Sequence, residues 1–327
     1  SIGYMGGGKF VTYGVSEQLT RIVIPPLSIT QTINGKRDLS VNAGDILGFD
    51  ISYRNESNIG LRDAIITMNL SSGVLDYRGL KQEKGSYDAS SQTLVWKASD
   101  IPGLAHLNPG DSGTVSFSIP VLNPIPESVS GKNFSIQTIA KIDSPDIPTP
   151  IGSNKVIASN TMVTRVSSSV GIGLYLVQND SVFMNKGPVP PIVGQETLYT
   201  VKIRLNNEYN DVTNAKLIVT LPSGSRYQKK FTPDTEAVEW NDRTNTLVWD
   251  LATYRAARGE SRELRFQVAV TPDASLMNKD LQLINGLVFT GKDQFTKQDI
   301  RIEKGEQETR YIRKEDGGVV DMHVIGQ

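Results

Sequence analysis

Apolar and polar residues alternate one for one along most of this chain. Residues 46–53 read Ile-Leu-Gly-Phe-Asp-Ile-Ser-Tyr and residues 114–121 read Thr-Val-Ser-Phe-Ser-Ile-Pro-Val. Residues 198–205 read Leu-Tyr-Thr-Val-Lys-Ile-Arg-Leu and residues 264–270 read Leu-Arg-Phe-Gln-Val-Ala-Val. A period of two sends successive side chains to opposite faces of a strand, one toward a core and one toward water. Turn chemistry separates the runs at Asn34-Gly35, Ala43-Gly44-Asp45, Pro109-Gly110-Asp111 and Pro222-Ser223-Gly224. Many short strands with polar turns predict an all-β chain built as sandwiches. The exception is residues 251–258, Leu-Ala-Thr-Tyr-Arg-Ala-Ala-Arg, which are expected to form a single short helical turn.

The chain also repeats itself. The tetrapeptide Thr-Leu-Val-Trp occurs at 93–96 and again at 246–249, and the aromatic nine residues upstream of each tryptophan recurs as Tyr87 and Trp240. Before each block stands a strand and a glycine turn, ending in Ser71-Ser72-Gly73 and Pro222-Ser223-Gly224. After each, a glycine turn leads into an alternating strand carrying Phe117 or Phe266. Upstream, Tyr53-Arg54-Asn55-Glu56 answers Leu205-Asn206-Asn207-Glu208. Two equivalent modules are therefore expected, residues 26–167 and 168–304, with Pro25-Pro26 and Ser167-Ser168-Ser169 at their starts. Residues 9–24 share the look of the hairpin that ends the second module. Residues 1–25 are accordingly read as the terminal hairpin of a preceding module or an N-terminal arm. Residues 305–327 are charged, carry Gly317-Gly318, and read as a polar tail or linker.

Composition narrows the function. Of 327 residues, 38% are hydrophobic and 21% charged, enough apolar material for real cores. The formal net charge of −1 lacks the basic bias that nucleic-acid binding requires. Cysteine is absent, which removes disulfides, thiolate nucleophiles and cysteine metal sites together. No apolar run is long enough to span a membrane as a helix.

The order of features is a strand with asparagine near its end, a glycine turn, Thr-Leu-Val-Trp, Pro-Gly-Asp and an alternating strand. It resembles the β-sandwich repeat found in tandem in large bacterial envelope proteins, a domain of unknown function. The resemblance covers residues 39–122 and 194–270. The first copy carries Leu107-Asn108-Pro109-Gly110-Asp111, whereas the second departs with Arg258-Gly259-Glu260 and no proline. What the resemblance implies is an all-β chain of tandem immunoglobulin-like β-sandwiches, exported to the cell surface or the extracellular space. It further implies a spacer, stalk or adhesive role, and it offers no catalytic residues.

The candidate chemistry is thin. His106 and His323 lack a second histidine and the H-E-x-x-H spacing. Scattered aspartates such as Asp45, Asp50, Asp63, Asp76, Asp88 and Asp100 do not form a D-x-D-x-D-G loop, so turn chemistry is their expected role. No cofactor is expected, and calcium is the one ion with a place, at an inter-module junction. Gly6-Gly7-Gly8-Lys9 lacks the spacing of a phosphate loop and reads as a hairpin turn. Trp96 and Trp249, with Phe117 and Phe266, are expected in the sandwich cores. Tyr87 and Trp240, flanking hairpin turns, are the candidates for exposed binding aromatics. The expected partners are other modules of the same protein, further copies of it, or a surface glycan or protein. One expected route of assembly is strand addition through residues 9–24.

Overall fold

In the computed structural model, residues 2–14, 25–149, 155, 157–312 and 322–326 are described, and these residues form two immunoglobulin-like β-sandwiches in tandem. Ahead of them β1 (Ile2–Gly6) and β2 (Lys9–Gly14) make a two-stranded hairpin. Its turn needs the left-handed backbone of Gly7 and Gly8 (φ 58° and 77°), which glycine adopts without steric cost. The hairpin expected over residues 9–24 is thus formed by residues 2–14, and 15–24 lie outside the described residues.

The first sandwich comprises β3 (Leu27–Ile33), β4 (Ser40–Val41), β5 (Ile46–Asn55), β6 (Leu61–Arg62), β7 (Ile65–Asn69), β8 (Lys81–Gln82), β9 (Ser86–Asp88), β10 (Thr93–Trp96), β11 (His106–Leu107), β12 (Ser112–Pro120), β13 (Ser135–Asp143) and β14 (Ala158–Val166). The second comprises β15 (Val170–Val177), β16 (Thr197–Asn207), β17 (Val212–Thr220), β18 (Ser225–Thr232), β19 (Ala237–Asn241), β20 (Thr246–Tyr254), β21 (Arg262–Val270), β22 (Gln282–Ile284), β23 (Gly286–Asp293), β24 (Asp299–Lys304) and β25 (Gln307–Glu308). The strand orders correspond. One sheet runs β3-β5-β12-β8 in the first sandwich and β15-β16-β21-β18 in the second. The facing sheet runs β14-β13-β7-β10-β9 and β24-β23-β17-β20-β19, with β4 added parallel to β14 in the first.

The alternation read from sequence places the cores between these sheets. Along β5 the buried apolar side chains are Leu47, Phe49, Ile51 and Tyr53, and along β12 they are Val115, Phe117 and Ile119. Phe49 and Phe117 stack with ring centroids 4.6 Å apart, and Trp96 lies 6.1 Å from Phe117. In the second sandwich Tyr199, Val201, Ile203 and Leu205, with Phe266 of the same sheet, share a core with Trp249 and Phe289 of the other sheet. The β21 segment 266–270 is buried on both faces, because residues 178–196 lie across the outside of that sheet. Asn185 in this stretch exchanges hydrogen bonds with Thr200 and Gln267.

Two expectations are corrected. Residues 251–258 make no helical turn. β20 runs on to Tyr254, and the alanines that suggested a helix include Ala252, held at φ 51° where the pairing with β17 shifts register. The described part of residues 305–327 is not a polar tail. β25 pairs with β22, and Ile312, Met322 and Val324 are buried in the second core. Their burial was masked in the sequence by the charged residues between them; Gly317 to Val320 lie outside the described residues.

Candidate functional site: the junction and the open face

The asparagines ending the paired strands are the first structural feature that the repeat encodes. Asn55 is fully buried and donates to the carbonyls of Ile59 and Leu107 at 2.8 and 2.9 Å. Asn207, equally buried, donates to Asn210 and Tyr254, both at 2.9 Å. A buried amide that satisfies loop carbonyls on both sides fixes the loops to the strand end.

Around Asn207 the second sandwich meets the first. The Ser168 hydroxyl donates to Asn207 Oδ1 and accepts from the amides of Tyr209 and Asn210. The Ser168 amide donates to Asp293 Oδ2 at 2.7 Å, and Asn210 Nδ2 bridges that oxygen to the Val166 carbonyl, both at 2.8 Å. Asp293 is fully buried; its other oxygen accepts from the amides of Phe295 and Thr296. The carboxylate is thus held by four N–H donors drawn from the linker, a β16–β17 turn and a β23–β24 turn.

A second set of contacts flanks this one. Tyr209, 2% exposed, lies within the first sandwich's core although it follows β16. Its hydroxyl accepts from the Ile125 amide, and its ring meets Phe134 edge-on at 5.9 Å. The Arg258 guanidinium sits 4.7 Å from the Phe134 ring and 5.5 Å from Tyr209, and donates to the carbonyls of Pro126 and Val129. Each cation–π contact contributes about 0.5–2 kcal/mol when desolvated. Lys132 reaches Asp211 at 2.8 Å across the same seam. Burial pushes the Asp211 carboxyl upward, but the Lys132 ammonium and the Ala256 amide outweigh it, and the pKa falls below the ordinary carboxylate value.

The two tryptophans occupy equivalent positions with different surroundings. Both are fully buried, as are Phe117 and Phe266 nearly so. Trp249 donates its indole N–H to Glu236 Oε2 at 2.7 Å, and Arg262 grips the same carboxylate through Nε and Nη2 at 2.8 and 2.6 Å. Glu236 sits in the connection 233–236 between β18 and β19. In the first sandwich the corresponding connection is 83–85, one residue shorter, and Gly113 lies where the second has Arg262 in the β12/β21 register. No described residue accepts a hydrogen bond from the Trp96 indole. β8 covers β12 only at Phe117 and Ser118, whereas β18 runs along β21 from Phe266 to Val270 and is joined by Thr232 at Arg265. The result is a cleft of about 800 Å3 that reaches Trp96, Phe117 and Gln82 and opens over Gly48, Asp50, Ser116 and Ser118.

The remaining candidates are placed as follows. Tyr87 and Trp240, expected as exposed binding aromatics, are half-buried. Tyr87 stacks on Tyr77 at 6.0 Å, and Trp240 leans on Tyr227 at 5.1 Å while donating to Asp242. His106 is exposed on β11, and His323 lies 3.8 Å from Asp280. Asp45, Asp88 and Asp100 each accept an N–H from their own turn. Among the described residues no three His, Asp or Glu side chains come together. Sequence reasoning missed Tyr209, Arg258 and Asp293. The signal for Arg258 was its departure from the Pro-Gly-Asp of the first copy, at the position where the chain meets its neighbour.

On the outer face of the second sandwich, Glu263 receives Arg265 at 2.8 Å and Lys202 and Arg204 at 3.1 Å. Burial raises its pKa, and the three cations more than reverse this, drawing it to about 2 from 4.5. A depressed carboxyl stabilises the fold above its unfolded pKa, and that contribution disappears as pH falls through the folded value. Urea midpoints are therefore expected to fall between about pH 4.5 and 2 in part through this group. The Glu263→Gln protein should lose less stability over that window, and parallel curves for the two proteins would refute the assignment.

No family model matches the chain, and no curated protein matches it. Among solved structures it is similar to the C-terminal domain of the Streptococcus pyogenes antigen I/II-family protein AspA, at 13% identity over 87% of this chain and 99% of that one, with a TM-score of 0.37. It is also similar to a chain of a type I cohesin–dockerin complex from Clostridium thermocellum, at 9% identity over 46% of this chain and 99% of that one, with a TM-score of 0.29. At these scores neither likeness transfers a residue role or a partner.

Proposed function

We propose that this chain is a non-catalytic structural segment of a bacterial cell-surface protein, a stiff spacer made of tandem sandwiches. The junction is the observation that carries this reading. A flexible tether between modules leaves the linker backbone to water. Here the linker serine is hydrogen-bonded from both sides, and Tyr209 is plugged into the neighbouring core. A spacer transmits position only if its units do not swivel, and these contacts oppose swivelling. The charged side chains have structural work of the same kind: Asp293 gathers the linker and two turns, and Glu263 pins neighbouring strands. Placement outside the cell follows from the sequence resemblance. An adhesin-type binding role has separate support in the bare face of the first sandwich beside Trp96.

The test exploits the absence of cysteine, since two introduced thiols are the only labelling sites. Spin labels at Lys141→Cys and Lys230→Cys, both exposed, report the distance between sandwiches. One narrow distribution is expected, broadening when Arg258→Ala is added. A broad distribution in the parent protein would overturn the spacer reading.

A further inference from the structure

We infer that the slot between residues 191–193 and 277–279 is a strand-capture site, and that the segment 322–325 held in it exchanges with the same segment of a second copy of this chain. The segment lies between two walls of main chain and runs parallel to both. On one side the Asn278 amide donates to the Val324 carbonyl at 2.8 Å, and the Val324 amide to the Lys279 carbonyl at 3.0 Å. On the other the Ile325 amide donates to the Pro191 carbonyl at 2.9 Å, and the Ile325 carbonyl accepts from the Val193 amide at 3.0 Å. Met322 and Val324 are buried in the second core, while His323 and Ile325 are exposed, the period of a strand with one face covered.

Each wall has bonds of its own. Gly194 donates to the Pro272 carbonyl and Gln195 to that of Ile192, while Met277 and Lys279 donate to Ala274 and Leu276 in a turn capped by Asp273. The slot therefore keeps its walls when the segment leaves, and it offers the same main-chain donors and acceptors to a strand from either chain. The first sandwich takes a segment from outside at the corresponding place. Its connection 121–134, which follows β12 as 271–281 follows β21, receives Tyr209 of the second sandwich. There the Asn133 amide donates to the Tyr209 carbonyl at 3.1 Å and the Ile125 amide to its hydroxyl. A second copy is the occupant that the slot fits, because it carries the very side chains, Met322 and Val324, that fill the slot here. Nine residues, 313–321, tie the segment to the buried Ile312. A short tether sets an effective concentration in cis of order millimolar. The contacts are the same in cis and in trans, so exchanged pairs form once copies are crowded to that concentration. Nothing in this exchange depends on the junction, which carries the spacer reading.

The test uses the full chain. Val324→Asp puts a charge where the side chain is fully buried and should drive the segment from the slot. Amide hydrogen exchange at Val193 and Asn278 should then accelerate by about tenfold or more, while β16 and β21 stay protected. A synthetic peptide copying residues 320–327 should restore slow exchange at about 5 mM, and the same peptide carrying Val324→Asp should not. Val324→Ala, a milder change, should give the same pattern at smaller amplitude, and it replaces the aspartate variant if that variant loses protection throughout. The parent chain, incubated at about 1 mM and then sized, should hold monomer and dimer in comparable amounts. The dimer should be absent from the Val324→Asp chain and suppressed when the peptide is present during incubation. Exchange that the peptide does not slow, a parent chain wholly monomeric after that incubation, or an equal dimer in the Val324→Asp chain overturns the proposal. Any of these results leaves the spin-label distance across the junction, and the spacer reading with it, untouched.

Discussion

Trp249→Ala should destabilise the second sandwich by about 3–5 kcal/mol, a large part of a typical domain's total stability. The side chain is fully buried against Phe266 and Phe289, so removal leaves a cavity as well as losing apolar burial. It also strips Glu236 of one donor in a site where that carboxylate is 8% exposed. Phenylalanine separates the two effects. Trp249→Phe keeps most of the packing and removes the N–H, adding about 1–3 kcal/mol for one lost hydrogen bond to a carboxylate that Arg262 still holds. Trp96→Phe has no such partner to lose and should cost only its packing difference. Urea unfolding followed by near-ultraviolet circular dichroism measures both. Equal losses for the two phenylalanine variants would show that the Glu236 contact contributes nothing.

Asp293→Ala should cost about 3–5 kcal/mol, because several buried N–H groups lose their acceptor at about 1–3 kcal/mol each while a buried charge is removed. Four N–H groups lose their acceptor together: those of Ser168, Phe295 and Thr296 and the Asn210 amide. Asp293→Asn offers one carbonyl oxygen in place of two carboxylate oxygens and should fall between the parent and alanine. Amide hydrogen exchange at Ser168 and Thr296 should accelerate in step with the loss of stability. A loss below about 1 kcal/mol would mean that water replaces the carboxylate at little cost.

The period-two alternation made the sandwich cores legible, because a strand with one wet face must write its burial into every second residue. The paired tryptophans were legible for a related reason: a repeated aromatic on a repeated strand reports a repeated pocket. The junction was not. Tyr209, Arg258 and Asp293 are far apart in sequence, and their meeting depends on how two folded units face each other. Glu236 was hidden in the same way, since its partners Trp249 and Arg262 converge only after β18 has wrapped the sheet. The segment 305–312 was misread because single apolar residues such as Ile312 show no period among charged neighbours, although each can fill a hole left by other elements. Alanine-rich 251–258 misled through composition, where strand pairing overrode helix propensity.

The intrusion of Tyr209 means that covalent and physical boundaries do not coincide. Cutting at the serine linker would give a fragment whose interior has a ring-sized hole next to Phe134 and a stranded Ile125 amide. The first unit therefore reaches its mature packing only once the β16–β17 turn has been synthesised and has docked. During vectorial synthesis it must wait, incompletely sealed, for its successor, and the smallest self-sufficient piece of this polypeptide is the couple.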